Sequence, residues 1–144
     1  HSTEVKSIDN VFIAGSSFKE LQGRELDYYI LCDLPCIFLE KNTSSRSYMD
    51  EFLAGNGVYV QPEFELATSD MIVQFVRRNL GVGCVMRDFA RDYVESGLLF
   101  ELRFNKIIQK RQFCVVRNTK MPMAPAAEKL LEIMELDRQE EAKI

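Results

Sequence analysis

Histidine is almost missing from this chain. His1 is the only one in 144 residues, and a lone imidazole at the terminus excludes zinc sites built on histidine, the Ser-His-Asp triad and the usual Cys-His pair. A basic surplus is missing too. With 18 Lys and Arg against 22 Asp and Glu, the formal net charge is −4 and the isoelectric point is about 5.1. Phosphate binding needs a basic face, so these residues are not expected to bind DNA. No apolar run approaches the roughly 20 residues that cross a bilayer, and the start His1-Ser2-Thr3-Glu4 has no signal-peptide character. A cytoplasmic protein with no membrane partner is expected. The four cysteines, Cys32, Cys36, Cys84 and Cys114, form no C-x-x-C pair and sit in or beside apolar runs, as buried free thiols do. No metal and no cofactor are expected, and there are neither internal repeats nor low-complexity segments.

What is present is ordinary for a soluble globular domain: 47% hydrophobic and 28% charged residues, in a length that suits about one domain with a real core. The organising stretch runs from Leu34 to Leu80. Leu34 to Leu39 is apolar without alternation and predicts a strand buried on both faces. Thr43, Ser44 and Ser45 follow, residue types that cap helix N-termini. Tyr48, Met49, Phe52 and Leu53 then recur at helical spacing until Gly55 and Gly57 stop them. The turn Thr43-Ser44-Ser45-Arg46 thus joins the end of a strand to the start of a helix. Such a junction offers backbone N–H groups, a positive dipole end and hydroxyls, with Arg46 beside them, and suits a carboxylate, phosphate or sulfate. The plainer reading is a capped helix that serves folding alone.

Around that stretch, Val5 to Ala14 predicts one strand centred on Val11, Phe12 and Ile13, and residues 18–29 predict a loop or short turn. Val58, Val60, Phe64 and Leu66 alternate with polar neighbours as a half-exposed strand does, and Pro62 marks it as an edge or a bulge. Thr68, Ser69 and Asp70 cap a second helix carrying Ile72, Phe75 and Val76, which Asn79 ends in the left-handed conformation. Gly81 to Met86 predicts a short strand whose glycines permit close packing. Asp88 is expected to cap a third helix closed by Gly97, and Leu98 to Phe104 alternate as a strand. A basic link, residues 105–111, leads to a strand at Phe113 to Val116. A helix over Ala126 to Met134 then fades into the charged tail Asp137 to Lys143.

Strands and helices alternating every 25 residues or so predict βαβ crossovers and a mostly parallel sheet. The turns near Thr43, Thr68 and Arg87 should therefore gather on one edge, where open α/β sheets bind ligands. Thr43, Ser44, Ser45, Arg46, Thr68 and Ser69 are the candidate ligand-binding residues.

In this order the motifs resemble the effector-binding region of LysR-type transcriptional regulators. The resemblance spans Val11 to Met134. It rests on Thr43-Ser44-Ser45-Arg46, on Pro62-Glu63-Phe64-Glu65-Leu66 running into Thr68-Ser69-Asp70-Met71-Ile72, on Val76-Arg77-Arg78-Asn79-Leu80-Gly81-Val82-Gly83, on Glu95-Ser96-Gly97-Leu98-Leu99, and on the Met121-Pro122-Met123-Ala124-Pro125 run before the last helix. Asn79 departs from the family's usual Gly. The resemblance implies a fold similar to type-2 periplasmic binding proteins, two α/β lobes with the effector in the cleft between them. On that basis residues 1–104 are the second lobe. Residues 105–144 are the returning strand and C-terminal helix that would belong with a first lobe, which is largely missing from this chain, as is the helix-turn-helix through which the family binds DNA.

The expected function is sensing a small anionic effector that controls a DNA-bound regulator. A solute-binding lobe of a transport system would share the fold, and a small α/β enzyme lobe is the alternative of another class. Catalysis would fall to Ser44, Arg46, Glu65, Asp70, Arg87 and Asp88, but no carboxylate pair stands at a forced spacing, and the chain is not expected to be an enzyme. The apolar stripe Leu130, Leu131 and Met134 on the last helix leads to an expectation of self-association.

Overall fold

Two strands open the chain where one was expected. β1 (Ser2–Ile8) and β2 (Asn10–Ala14) are separated at Asp9 and join different sheets. The other strands are β3 (Glu25–Leu26), β4 (Cys36–Leu39), β5 (Phe64–Leu66), β6 (Val82–Met86), β7 (Phe100–Glu101), β8 (Arg103–Phe104) and β9 (Arg111–Val116), and the helices are α1 (Ser44–Gly55), α2 (Ser69–Arg77), α3 (Arg87–Glu95) and α4 (Pro125–Glu141). The computed structural model describes residues 2–141. By packing, the chain forms two units, Asp9–Gln109 and the pair of segments His1–Ile8 and Lys110–Ile144. β1 therefore groups with the returning segment and not with the rest of residues 1–104.

In the larger unit five strands lie in the order β5-β4-β6-β2-β7. β4 runs parallel to β5 and β6, while β2 is antiparallel to both its neighbours. The sheet is thus mixed, and its parallel part is the three strands that each lead into a helix. β4, β5 and β6 point the same way, so the starts of α1, α2 and α3 fall on one edge, as the alternation predicted. Asn10 pairs with Met86, which brings the first residue of β2 to that same edge.

Each face of the sheet has its own core. Phe12 and Ala14 of β2 pack with Tyr28, Phe38, Met49 and Leu53 under α1. Val11 and Ile13 point the other way, to Ile72, Val73 and Val76 of α2 and Ala90 of α3, as the period-two geometry of a strand requires. Gly83 is where α2 meets β6. A Cβ there would stand 2.6 Å from Ile72 Cγ2 and 2.7 Å from Val76 Cγ2, closer than carbon atoms pack, so glycine lets the helix lie directly on the strand.

The helix ends follow their chemistry with one exception. Thr43 Oγ1 accepts from Arg46 N at 3.2 Å and Thr68 Oγ1 from Met71 N at 3.3 Å. Asn79 takes φ 58°, and its side-chain oxygen also accepts from Ser17 N at 2.9 Å, holding the end of α2 to the turn after β2. The exception is α3, whose N-cap is Met86 with no side-chain bond. Asp88 lies two residues past the cap position. It sits in the first turn, where a carboxylate suits the helix dipole, and accepts from Arg91 at 2.6 Å.

Other expectations need correction. The alternating run from Val58 forms a strand only at β5, because Val58 is drawn into the core and Pro62 has no N–H for a ladder. Residues 18–29 contribute to two 3-10 turns, Ser16–Leu21 and Tyr28–Asp33. The strand expected over Leu98 to Phe104 divides, with β7 on β2 and β8 parallel to β3. Leu98 is 59% exposed and Leu99 is 3% exposed, the reverse of the expected alternation, since Leu99 N is still bound to Tyr93 O of the last turn of α3. All four cysteines are free, but Cys32 and Cys114 are exposed and Cys84 is half-buried, leaving Cys36 as the one buried thiol.

In the smaller unit β1 pairs antiparallel with β9, Ser2 opposite Val116 and Ile8 opposite Arg111, with an irregularity between Glu4 and Lys6. Pro125 opens α4 in the first-turn position where its missing N–H costs nothing, and the helix continues to Glu141, through much of the segment expected as a tail. Side chains beyond Glu135, and Lys143 and His1 altogether, lie outside the described residues.

Candidate functional site

The edge where the three helices begin holds a narrow concavity with about 20 Å³ of room, open to solvent. Ser45 and Arg46 reach it from the first turn of α1, Met49 from the next turn, Ser69 from the start of α2, Cys84 from β6 and Asn10 from the head of β2. Three of the six candidate residues, Ser45, Arg46 and Ser69, are brought together here. Thr43, Ser44 and Thr68 are not among the lining residues. The threonine hydroxyls are engaged in the caps, and Thr43 Oγ1 also donates to Glu40 O at 3.0 Å. Ser44 faces solvent.

Arg46 is the better buried of the two polar residues at this edge, at 5% exposure against 8% for Asn10. Its guanidinium is turned inward. Nε donates to Asp50 Oδ1 and Oδ2 at 2.9 and 3.0 Å, and Nη1 donates to Leu39 O at 2.8 Å. Nη1 also stands 3.4 Å from Glu65 Oε2, and the group lies 5.3 Å over the Phe38 ring. Two carboxylates thus balance one guanidinium. Arg46 forms a wall of the concavity, and the other polar residues that line it, Asn10, Ser45 and Ser69, are neutral.

Asn10 escaped the reading of the sequence. The available signal was a carboxamide at the head of the apolar run Val11 to Ala14, in step with Phe12 and Ala14 and so on the face that α1 covers. Of the other residues weighed for catalysis, Asp70 is exposed in the first turn of α2. Arg87 pairs with Asp9 and with Glu101, whose Oε1 is 2.9 Å from its Nε. Hydrogen bonding to Glu101, reinforced by the charges of Glu101 and Asp9 against the effect of burial, holds this guanidinium more firmly protonated than usual. Among the described residues no group of three His, Cys, Asp or Glu could hold a metal ion.

A second, roomier and more open concavity of about 360 Å³ lies beside the start of β2, which β7 does not reach, between Asp9, Asn10, Glu101, Arg103 and Ile107. Tyr28 lines it from beneath and donates to Lys106 O at 2.7 Å. Burial, with Cys84 adding to it, pushes the Tyr28 hydroxyl up to about 12. Burial likewise pushes Cys36 up to about 12, helped by Cys32 and Glu63. Its thiol donates to Leu31 O at 3.4 Å and stays protonated, hence a poor nucleophile.

Parallel strands feeding helices, an antiparallel strand beside them, and a polar hole where the helices begin define an α/β lobe of the type-2 periplasmic-binding-protein kind. The sequence pattern of the LysR substrate binding domain matches residues 7–137, and the chain belongs to that family, as a ligand-sensing regulatory domain. It is 26% identical over 106 residues to the uncharacterized HTH-type transcriptional regulator YeiE of Escherichia coli K12, a match covering 71% of this chain and 36% of that protein. Among solved structures it is similar to the CcmR regulatory domain of Synechocystis PCC6803 in complex with 2-PG, with TM-score 0.81 and 16% identity over 93% of this chain and 64% of that one. It is also similar to the effector-binding domain of QuiR in complex with shikimate, with TM-score 0.74 and 12% identity over 93% and 63%. At these identities the structures speak for the fold. The chain spans about a third of the length of the curated relative and just under two thirds of these regulatory domains.

Proposed function

We propose that the concavity between Asn10, Ser45 and Ser69 is where this domain takes a small anionic effector, and that occupancy shifts a cytoplasmic regulator between two states with different effects on transcription. The observation that carries this is the convergence of two helix starts, those of α1 and α2, on one hole walled by apolar side chains. Their N–H groups and dipoles favour negative charge. The hydroxyls of Ser45 and Ser69 are the side-chain donors, and Thr43, Ser44 and Thr68 serve by fixing the helix starts. Arg46 holds the wall through Asp50 and Glu65. Asp9–Gln109 acts as the second lobe, and the paired segments 1–8 and 110–144 belong with a first lobe. DNA is reached through a helix-turn-helix outside this chain, and the domain binds its ligand without turning it over. In the complete regulator, calorimetry against small carboxylates and inorganic phosphate should find an anion whose affinity falls at least tenfold in Ser45→Val and Ser69→Val but not in Ser44→Val. Equal affinity in all three folded variants would remove the site from this edge.

The partner proposed for α4 is a second copy of the chain. Leu130 and Ile133 are 57% and 47% exposed, and an apolar stripe on a helix gains by burial. Sedimentation equilibrium should show a dimer that Leu130→Lys disperses. A monomer at high concentration would refute the pairing.

A further inference from the structure

Asn10 is a mostly buried carboxamide at the ligand edge of the larger unit. It is 8% exposed, it lines the concavity beside Phe38, Met49 and Cys84 as well as the second concavity, and its side-chain amide makes no hydrogen bond to the described residues and keeps its remaining contact with solvent. Buried amides are as a rule paired, and one left unpaired lowers stability unless something outside the fold completes it. At the head of β2, in step with Phe12, a leucine would fill much the same space, so the amide is open to a partner that the fold does not supply.

We propose that Asn10 makes this site selective for hydroxy acids, anions that carry a hydroxyl close to the charged group. The inference rests on the concavity being the effector site and goes on to name the ligand's chemistry. The groups contributed by the two helix starts are chiefly donors, and a carboxylate answers them with its acceptor lone pairs. It cannot answer the carbonyl of Asn10, which needs a donor. Arg46 makes no hydrogen bond to it, and its Nε and Nη1 are directed to Asp50 and Leu39 O. A hydroxyl both donates and accepts, so it can meet either end of the amide, whereas a hydrogen in its place leaves the amide unpaired and an ammonium meets only the carbonyl. A site built to pair a hydroxyl rejects the analogue that lacks it far more strongly than an apolar pocket rejects a missing methylene.

The probes are two sets of matched acids: lactate, propionate and alanine, and malate, succinate and aspartate. Titrated into the chain and into the complete regulator, lactate or malate should bind at least about tenfold more tightly than its deoxy partner. Asn10→Leu should abolish that preference by weakening the hydroxy acid, and should not lower the melting temperature of the ligand-free protein. Binding of hydroxy and deoxy acids with equal affinity would overturn the inference and leave the site standing. Preference for alanine or aspartate would overturn it in favour of an amino acid. Retention of the hydroxyl preference in Asn10→Leu, or a lower melting temperature for that variant, would also overturn it, since Asn10 would then serve the fold. Failure of all six acids to bind, with Ser45→Val and Ser69→Val silent as well, would remove the site and the inference together.

Discussion

The two faces of the five-stranded sheet are filled with different chemistry. Under α2 and α3 the core is aliphatic and mostly β-branched, Ile13, Ile37, Ile72, Val73, Val76 and Val85, and Gly83 removes even a methyl group from the contact. Under α1 the core is built of rings. Tyr28 stacks on Phe104 with centroids 4.1 Å apart and meets Phe52 edge-on at 5.1 Å, and Phe12 meets Phe104 at 5.4 Å and Phe38 at 6.4 Å. The buried polar residues among those described, Asn10 and Arg46, both belong to the ring-filled side. The tight face anchors the sheet, and the other carries the polar groups that function requires and that packing alone would not select.

Crowding the tight face should have the largest effect. Gly83→Leu puts a branched side chain where Ile72 and Val76 already stand, and since β6 is an inner strand it cannot move aside. A loss of about 3 kcal/mol or more in urea unfolding is expected, near the upper end for overpacking. A variant as stable as the parent would show that α2 can shift, and that the two faces are equally adaptable. Next comes Arg46→Leu on the ring-filled face. It removes the bond to Leu39 O and the pairing with Asp50 and Glu65, but those carboxylates are 47% and 39% exposed and can rehydrate. The expected cost is therefore about 2 kcal/mol, below that of a fully buried pair. A cost of 4 kcal/mol or more would mean that the polar edge is as rigid as the aliphatic side, against the roughly 2 expected when the partners rehydrate.

The smallest effect is the most specific. Tyr28 and Cys36 have their protons held from ordinary values of 10.0 and 9.0 up to about 12. Between those limits the folded chain keeps protons that the unfolded chain releases, so stability is full below pH 9 and falls as pH rises toward 12. Tyr28→Phe should cost about 1 kcal/mol or less at neutral pH, one hydrogen bond to Lys106 O, and should make the alkaline decline shallower, leaving the part due to Cys36. An unchanged decline would place the titrating group elsewhere.

These contrasts explain which features could be read from the residues. Thr43, Thr68 and Asn79 were legible because a cap is local chemistry: a hydroxyl three residues from the N–H it accepts, or a carboxamide that tolerates positive φ. The shared edge of the helix starts was legible because parallel connection requires it. The break after Leu99 was not, since the last turn of α3 captures its N–H and overrides an alternation that looked regular. Nor was the inward turn of Arg46. Asp50 stands four residues along, within reach of a local rule, but Glu65 comes from another strand and only the folded sheet brings it near. Asn10 was hidden for a similar reason, because its meaning depends on Met86 lying opposite and on two helices that start 34 and 59 residues later.

The borders of the larger sheet have a consequence for handling the protein. β5 is three residues long, follows Pro62 and carries Glu65 between its two apolar residues, and β7 at the other border has only two residues. Unpaired strand borders are templates on which chains join into aggregates, and short, charged or proline-flanked borders discourage this. The hazard passes to the two-stranded ribbon of β1 and β9, seven and six residues long and carrying the exposed Phe113 and Val116. Precipitation at high concentration should accordingly begin at the ribbon, and charged substitutions there, rather than anywhere on the lobe, are the means of keeping the chain in solution.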